Sequence, residues 1–198
     1  KYFDGFNVAR FYLNKIGALV NIGVPREGEY RIAWNSSFVE NPDFVLRKPI
    51  IKQSENEVLS LNEPRLIDIT YVGKGALYDP SFSRLSGTFE LTRRWPDDVD
   101  EYLLLLSKTR FLFTFDVNTS VVEEAIVYGV MPVLMTCKPK SSMDEVFESY
   151  DKELADCCLV FDKYKVITDE NFDTFANNFF NKRKKFISYL DRQRSSYP

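Results

Sequence analysis

Short apolar runs alternate with short helical segments through the second half of the chain, and this pattern limits the fold more than any other feature. The candidate strands are 110–115, 130–135 and 158–161, and the candidate helices are 97–107, 120–128 and 141–150. Such alternation predicts βαβ units, in which helices join parallel strands and ligands bind at the carboxyl edge of the sheet. We therefore expect an α/β fold with a mainly parallel sheet and flanking helices. A minimal right-handed crossover should make 110–115 and 130–135 neighbouring parallel strands.

The remainder of the chain adds shorter strands and one long helix. Four apolar or alternating runs predict further strands, at 30–34, 44–51, 66–72 and 88–92. The final stretch, 168–194, predicts a long amphipathic helix with Thr168 as its N-cap. We expect residues 1–28 to be a lead-in segment or the tail of a missing N-terminal domain, 29–165 to be the α/β domain, and 166–198 to be a helix that packs back toward a partner domain.

Five aromatic residues of this last helix are expected to be partly uncovered in the isolated chain. They are Phe172, Phe175, Phe179, Phe180 and Phe186. Exposed aromatic side chains at helical spacing favour self-association. The basic run 182–185 predicts a solvated face of the same helix, with attachment to a membrane surface as a second reading.

The amino-acid composition excludes several classes of function for this segment. The chain has no histidine, so this segment supplies neither an imidazole catalyst nor a histidine ligand for zinc. Its three cysteines, Cys137, Cys157 and Cys158, are odd in number and lack C-x-x-C spacing, which argues against a disulfide framework and indicates the cytoplasm. A net charge of −3 gives no broad basic surface for nucleic acid, and no run of apolar residues is long enough to span a membrane.

The segment 110–135 forms the most informative loop, because a buried strand runs through polar residues into a helix and a second strand. Backbone N–H groups at a helix start, with the helix dipole behind them, bind anions without a metal. Thr119 and Ser120 are placed to hold a pyrophosphate in this way. Glu124 lies one turn further along the helix, within reach of a ribose.

Four segments together resemble the GT-B glycosyltransferases, in particular bacterial enzymes of surface-glycan or polysaccharide biosynthesis. They are NVARFYLNKIG at 7–17, YVGKG at 71–75, ELTRRWP at 90–96 and FTFDVNTSVVEEAIVYGVMPVL at 113–134. The resemblance implies a Rossmann-like donor domain at 29–165, the donor half of a GT-B fold. It also implies that a nucleotide-activated sugar is bound as substrate, with no cofactor and no metal. Transfer would be to a glycan or lipid-linked acceptor held mostly by another domain, at the inner face of the membrane or in the cytoplasm.

The same resemblance assigns site residues. The glutamate that holds the ribose hydroxyls falls on Glu124, and the phosphate loop falls on Asn118, Thr119 and Ser120. Lys74 and Arg93 are our preferred cations for the diphosphate, because an Arg fork or a Lys charge stabilises such a leaving group. Arg84 and Arg94 are further local cations. We assign no catalytic residue, and a catalytic base would lie in the missing N-terminal domain.

Other interpretations of the same residues stay open at this point. Ser120 and Glu123 fit a capping box that starts the helix, and Asp116 at a strand end fits a turn or cap more often than a catalytic role. Asp116 with Thr119 is also compatible with a phosphorylated receiver domain, although the acidic pair expected after its first strand is missing. The main alternative function is a non-catalytic Rossmann-like module that binds a partner protein or a glycan.

Overall fold

A computed structural model of the chain describes residues 8–12, 25–33, 38–45, 65–136, 138, 140 and 142–195. The chain separates into two compact units, Lys1–Ile50 and Ile51–Pro198. Each unit contains its own parallel sheet. None of the helices in the described part of the chain is long and apolar enough to cross a membrane.

The first unit is a three-stranded parallel sheet. Its strands are β1 (Ala9–Tyr12), β2 (Tyr30–Ala33) and β3 (Phe44–Val45), arranged in the order β1-β2-β3. The predicted strands at 30–34 and 44–51 are thus confirmed over 30–33 and 44–45, and their remaining positions lie outside the described residues. We expected a domain to begin at residue 29. Strand β1 lies before this position and β2 lies after it, and the two strands pair with each other.

Among the residues of this unit that the structure describes, a small apolar core lies with the buried carboxylate of Glu29. Its apolar members are Tyr12, Ala33, Phe38 and Val39. Glu29, 8% exposed, accepts a hydrogen bond from the Tyr12 hydroxyl and lies 3.2 Å from the Arg10 guanidinium. A buried carboxylate needs such partners, because an unpaired charge is costly to remove from water.

The second unit is an α/β domain with a five-stranded, fully parallel sheet in the order β5-β4-β6-β7-β8. Its strands are β4 (Ile67–Tyr71), β5 (Phe89–Leu91), β6 (Thr109–Thr114), β7 (Met131–Leu134) and β8 (Leu159–Val160). Its helices are α1 (Gly75–Tyr78), α2 (Val99–Lys108), α3 (Ser120–Val127), α4 (Met143–Glu148), α5 (Lys152–Cys157), α6 (Phe161–Tyr164) and α7 (Phe172–Ser195). The predicted fold class, a Rossmann-like α/β arrangement with a long C-terminal helix, is confirmed. So is the parallel pairing of β6 with β7 through α3.

The two faces of this sheet are covered differently. Phe111 and Phe113 pack edge-to-face on Tyr164 of α6, with ring centroids 5.0 and 4.8 Å apart. The intervening Leu112, fully buried, points to the opposite face because side chains alternate along a strand. Since the crossovers through α2 and α3 run in the same direction across the sheet, right-handedness places both helices on the same face of it.

Helix α7 differs from the prediction in two respects. It begins at Phe172 rather than after Thr168, whose backbone N–H instead donates to the Asn171 side chain at 2.8 Å. The expectation of uncovered aromatic residues is wrong for Phe179 and Phe186, which are 5% and 0% exposed within the second unit.

The basic run at 182–185 is also not a continuous solvated face. Arg183 is 5% exposed and donates to the carbonyl oxygens of Ile126 and Val127 at the end of α3. A cation at this end of a helix is stabilised by the helix dipole. Arg183 is therefore a structural residue that ties α7 to α3.

Candidate functional site

The strand order creates a crevice at the carboxyl edge of the second unit's sheet. From β4 the chain crosses to β5 on one side, and from β5 it returns to β6 on the other side of β4. The loops that follow β4 and β6 therefore leave the sheet in different directions, although Tyr71 and Thr114, their last strand residues, are register partners. In open α/β sheets, ligands bind at such topological switch points.

Lys74 joins the two loops at this point. Its ammonium donates to the Asn118 carbonyl oxygen at 2.6 Å and lies 3.6 Å from Asp116 Oδ1. Its backbone N–H donates to Asp116 Oδ2 at 3.0 Å, and the Asn118 N–H donates to Asp116 Oδ1 at 3.3 Å. Burial lowers the pKa of Lys74, Asp116 opposes that shift, and the positive charge of Arg93 adds to it.

The two glycines beside Lys74 allow the loops to approach each other closely. A Cβ on Gly75 would lie 2.6 Å from Phe115 Cβ and 2.8 Å from the Phe115 carbonyl oxygen. Gly73 has a φ of +51°, and a Cβ there would lie 2.8 Å from Asp116 Oδ2. Any side chain at either position would collide with the β6 loop, so the G-K-G sequence has a steric explanation.

A cleft of about 500 Å³ opens at the ends of β4 and β5. Among the residues that line it are Tyr71, Gly73, Phe82, Arg84, Glu90 and Arg93. Arg84 and Arg93 are both exposed, and neither forms an ion pair or a side-chain hydrogen bond with any residue that the structure describes. Two uncommitted guanidinium groups on one cleft are suited to an anion with several oxygens.

The start of α3 follows the β6 loop that Lys74 contacts. Thr119 is the N-cap, and its side chain accepts a hydrogen bond from Val121 N–H at 3.3 Å. Ser120 is therefore the first helical residue rather than the cap, and the predicted capping box of Ser120 with Glu123 is wrong. Nδ2 of Asn118, just before the cap, is buried and has no acceptor in the described part of the chain.

Glu124 lies on the second turn of α3 and is held by α2. The Tyr102 hydroxyl donates to Glu124 Oε2 at 2.8 Å. Burial, followed by the charge of Glu124, raises the pKa of the Tyr102 phenol far above its ordinary value. Tyr102 is therefore a hydrogen-bond donor at any physiological pH.

The predicted site residues consequently gather around one sheet edge. The structure brings Lys74 and Asn118 into direct contact and sets Thr119 at the cap, and Ser120 and Glu124 on the first two turns, of α3. Of the predicted site residues, Arg93 lines the cleft and the other five do not. Sequence reasoning missed Tyr71 and Tyr102, because a tyrosine in an apolar run gives no signal beyond burial. Within the described residues, no group of three or more His, Cys, Asp or Glu side chains is arranged to hold a metal ion.

Asp116 does not match a phosphoryl acceptor. It is 2% exposed, and both of its carboxylate oxygens accept hydrogen bonds from backbone N–H groups, one from Lys74 and one from Asn118. An acceptor carboxylate must be accessible to an incoming phosphoryl group. The geometry thus weighs against the receiver-domain alternative.

Comparison of the chain with protein-family models, with curated proteins and with solved structures gives no match.

Proposed function

We propose that the second unit binds the diphosphate and ribose of a nucleotide-activated sugar and acts as the donor domain of a GT-B-type glycosyltransferase. The observation that carries this proposal is the cleft at the switch point, whose lining includes Arg84 and Arg93 as uncommitted cations. A nucleoside diphosphate sugar presents negative charge and ribose hydroxyls together, and this edge offers groups for both.

Each group has a separate task in this proposal. The guanidinium groups of Arg84 and Arg93 pair with diphosphate oxygens and stabilise the charge that develops when the diphosphate leaves. The amide groups at Thr119 and Ser120 add donors from a helix start. Glu124 accepts hydrogen bonds from ribose hydroxyls. Lys74, whose ammonium is already bonded to the β6 loop, contributes its positive charge to the site and fixes the loop.

The proposal places the reaction in the cytoplasm. Cys157 and Cys158 are buried free thiols, which is the usual state of cysteine in a reducing compartment. An acceptor that is a glycan or is linked to a lipid would bring the protein to the inner face of the membrane. Lys184 and Lys185 on α7 are exposed and carry a suitable charge for such contact.

The alternative is a non-catalytic module that binds a partner protein or a glycan, and titration calorimetry separates the two. The 198-residue chain is titrated with UDP, GDP, ADP and CDP in the presence of EDTA, with inorganic phosphate as the control anion. We expect saturable binding of at least one nucleoside diphosphate without a divalent metal, and weaker binding of phosphate. Absence of saturable binding by all four nucleotides would reject the donor-domain proposal in favour of the alternative.

A further inference from the structure

We infer that Tyr102 is a positioning residue for Glu124, which it orients toward the ribose of the bound nucleotide. This inference rests on the proposed function. It extends the site to α2, a helix to which neither the sequence motifs nor the resemblance assigns a role. Its basis is the 2.8 Å hydrogen bond from the Tyr102 hydroxyl to Glu124 Oε2.

The hydrogen bond from Tyr102 on α2 holds the Glu124 carboxylate on α3 in one orientation. A glutamate side chain has three rotatable bonds, and on a helix it populates several rotamers unless a neighbour selects one. Tyr102 lies in the first half of α2 and Glu124 in the second turn of α3, so that a rigid ring on one helix reaches the carboxylate of the other. Sites held by such supporting contacts keep the geometry that ligand binding needs.

The bond leaves the carboxylate able to bind a ligand. An ionised carboxylate offers about four acceptor positions on its two oxygens, and the Tyr102 hydroxyl uses one of them. Glu124 is itself only partly buried. The two oxygens of a carboxylate suit vicinal hydroxyl groups, which present two donors close together, as a ribose does.

The pair is linked to the proposed cleft through Tyr71. Tyr71 lines the cleft, and its phenol is near enough to Tyr102 to contribute to the raised pKa of that residue, after burial and Glu124. Tyr71 is the register partner of Thr114, from which the chain continues through the β6 loop to α3. Tyr71 thus connects the Tyr102–Glu124 pair to the cleft where we place the nucleotide.

A purely structural role for Tyr102 makes a different prediction. If the hydroxyl served only to hold α2 against α3, its removal would weaken binding of every nucleotide equally. If it orients Glu124 toward the ribose, the loss should depend on the ribose hydroxyls. The ligand itself can therefore report which role is correct.

The experiment compares Tyr102→Phe with the parent chain by calorimetry, using UDP, GDP, ADP and CDP and the 2′,3′-dideoxy counterpart of each. Removal of one hydrogen bond should weaken binding of the hydroxyl-bearing nucleotide about threefold to tenfold and leave the dideoxy nucleotide unchanged. Glu124→Gln should lose the same preference for hydroxyls, and Tyr102→Phe in that background should add little. Tyr164→Phe, which removes a hydroxyl from the aromatic cluster on the other face of the sheet, is the matched control.

The outcomes separate this inference from the function on which it rests. If the parent chain binds a nucleotide and Tyr102→Phe loses no affinity, or loses it equally for both members of a pair, the positioning role is wrong and the donor-domain proposal stands. If the parent chain binds no nucleotide, the donor-domain proposal fails and this inference fails with it. Melting curves of both Tyr→Phe variants establish that each is folded, and Glu124→Gln provides a second measure if Tyr102→Phe is not.

Discussion

The Lys74 side chain crosses from the loop after β4 to the loop after β6, where its ammonium lies 3.6 Å from Asp116 Oδ1. The backbone N–H of Lys74 donates to the other oxygen of the same carboxylate at 3.0 Å. Lys74 therefore contacts both oxygens of the Asp116 carboxylate, which is 42 positions away in the sequence and almost fully buried. The ion pair holds together the two loops that form the crevice.

Replacement of Lys74 by methionine should destabilise the second unit. The substitution keeps most of the side-chain volume but leaves Asp116 buried without its counter-ion, and breaking a buried ion pair in this way costs about 3–5 kcal/mol. Urea unfolding of the variant measures the loss. Lys138→Met is the control, because the Lys138 ammonium lies 3.7 Å from Asp79 on an exposed surface, where ion pairs contribute little. Equal losses in the two variants would contradict a special role for Lys74.

Replacement of Gly75 by alanine should separate the β4 and β6 loops. Because the new Cβ would lie 2.6 Å from Phe115 Cβ, the backbone must move, and overpacking of this kind costs about 1–3 kcal/mol. We expect nucleotide affinity to fall with it, as measured by calorimetry. Gly28→Ala, in the first unit, is the control: its φ is +76° and an added Cβ meets no atom within 4 Å, so that only local backbone strain is expected. Unchanged affinity in Gly75→Ala would show that the loop spacing does not matter for binding.

Removal of Arg93 or Arg84 should weaken nucleotide binding without affecting stability. Hydrogen bonds to charged groups contribute about 1.5–3 kcal/mol, so each alanine variant should bind a nucleoside diphosphate roughly 10- to 100-fold more weakly. Since both side chains are exposed, the free energy of unfolding should change by no more than about 0.5 kcal/mol. Arg94→Ala is the matched control, because Arg94 is adjacent and exposed but does not line the cleft. A similar loss of affinity in all three variants would indicate a general charge effect instead of a defined site.

The first unit should lose stability in acid through Glu29. Burial by itself raises the pKa of this carboxyl, but hydrogen bonds from Tyr12 and the Arg26 backbone, with the charges of Arg10 and Arg31, lower it overall. A carboxyl with a lowered pKa stabilises the folded state fully above its ordinary pKa of 4.5, and this stabilisation is lost as the pH falls through the lower, folded-state pKa.

Hydrogen exchange of the Tyr30 amide, which donates to the Val8 carbonyl oxygen at 2.8 Å in the first unit, measures this effect. The protection lost in Glu29→Gln relative to the parent chain should be greatest near neutral pH and should shrink as the pH falls below 4.5. Glu101→Gln, an exposed substitution on α2, is the control for a change in net charge. A difference that does not vary with pH would mean that Glu29 stabilises the unit through packing alone.

Local sequence patterns predicted the longer elements of the second unit and their parallel arrangement, but not the short helices α1, α5 and α6. The run 110–115 is apolar and ends in Asp-Val-Asn-Thr, and the following helix begins where Thr119 caps it. The helix that joins 110–115 to 130–135 is just long enough for a crossover between neighbouring parallel strands, and the structure shows this pairing of β6 with β7. The strand order that creates the switch point was not predicted from the sequence.

Tertiary structure alone decided which side chains meet. Lys74 with Asp116, and Tyr102 with Glu124, are 42 and 22 positions apart, and no local pattern links them. The burial of Arg183 was likewise unpredictable, since a basic run on a helix gives no sign that one of its members reaches the end of another helix. Local periodicity determines which face of a helix or strand is apolar. The partner of a polar side chain depends instead on the angle and position at which two elements cross. Packing of the whole sheet and its helices sets that geometry.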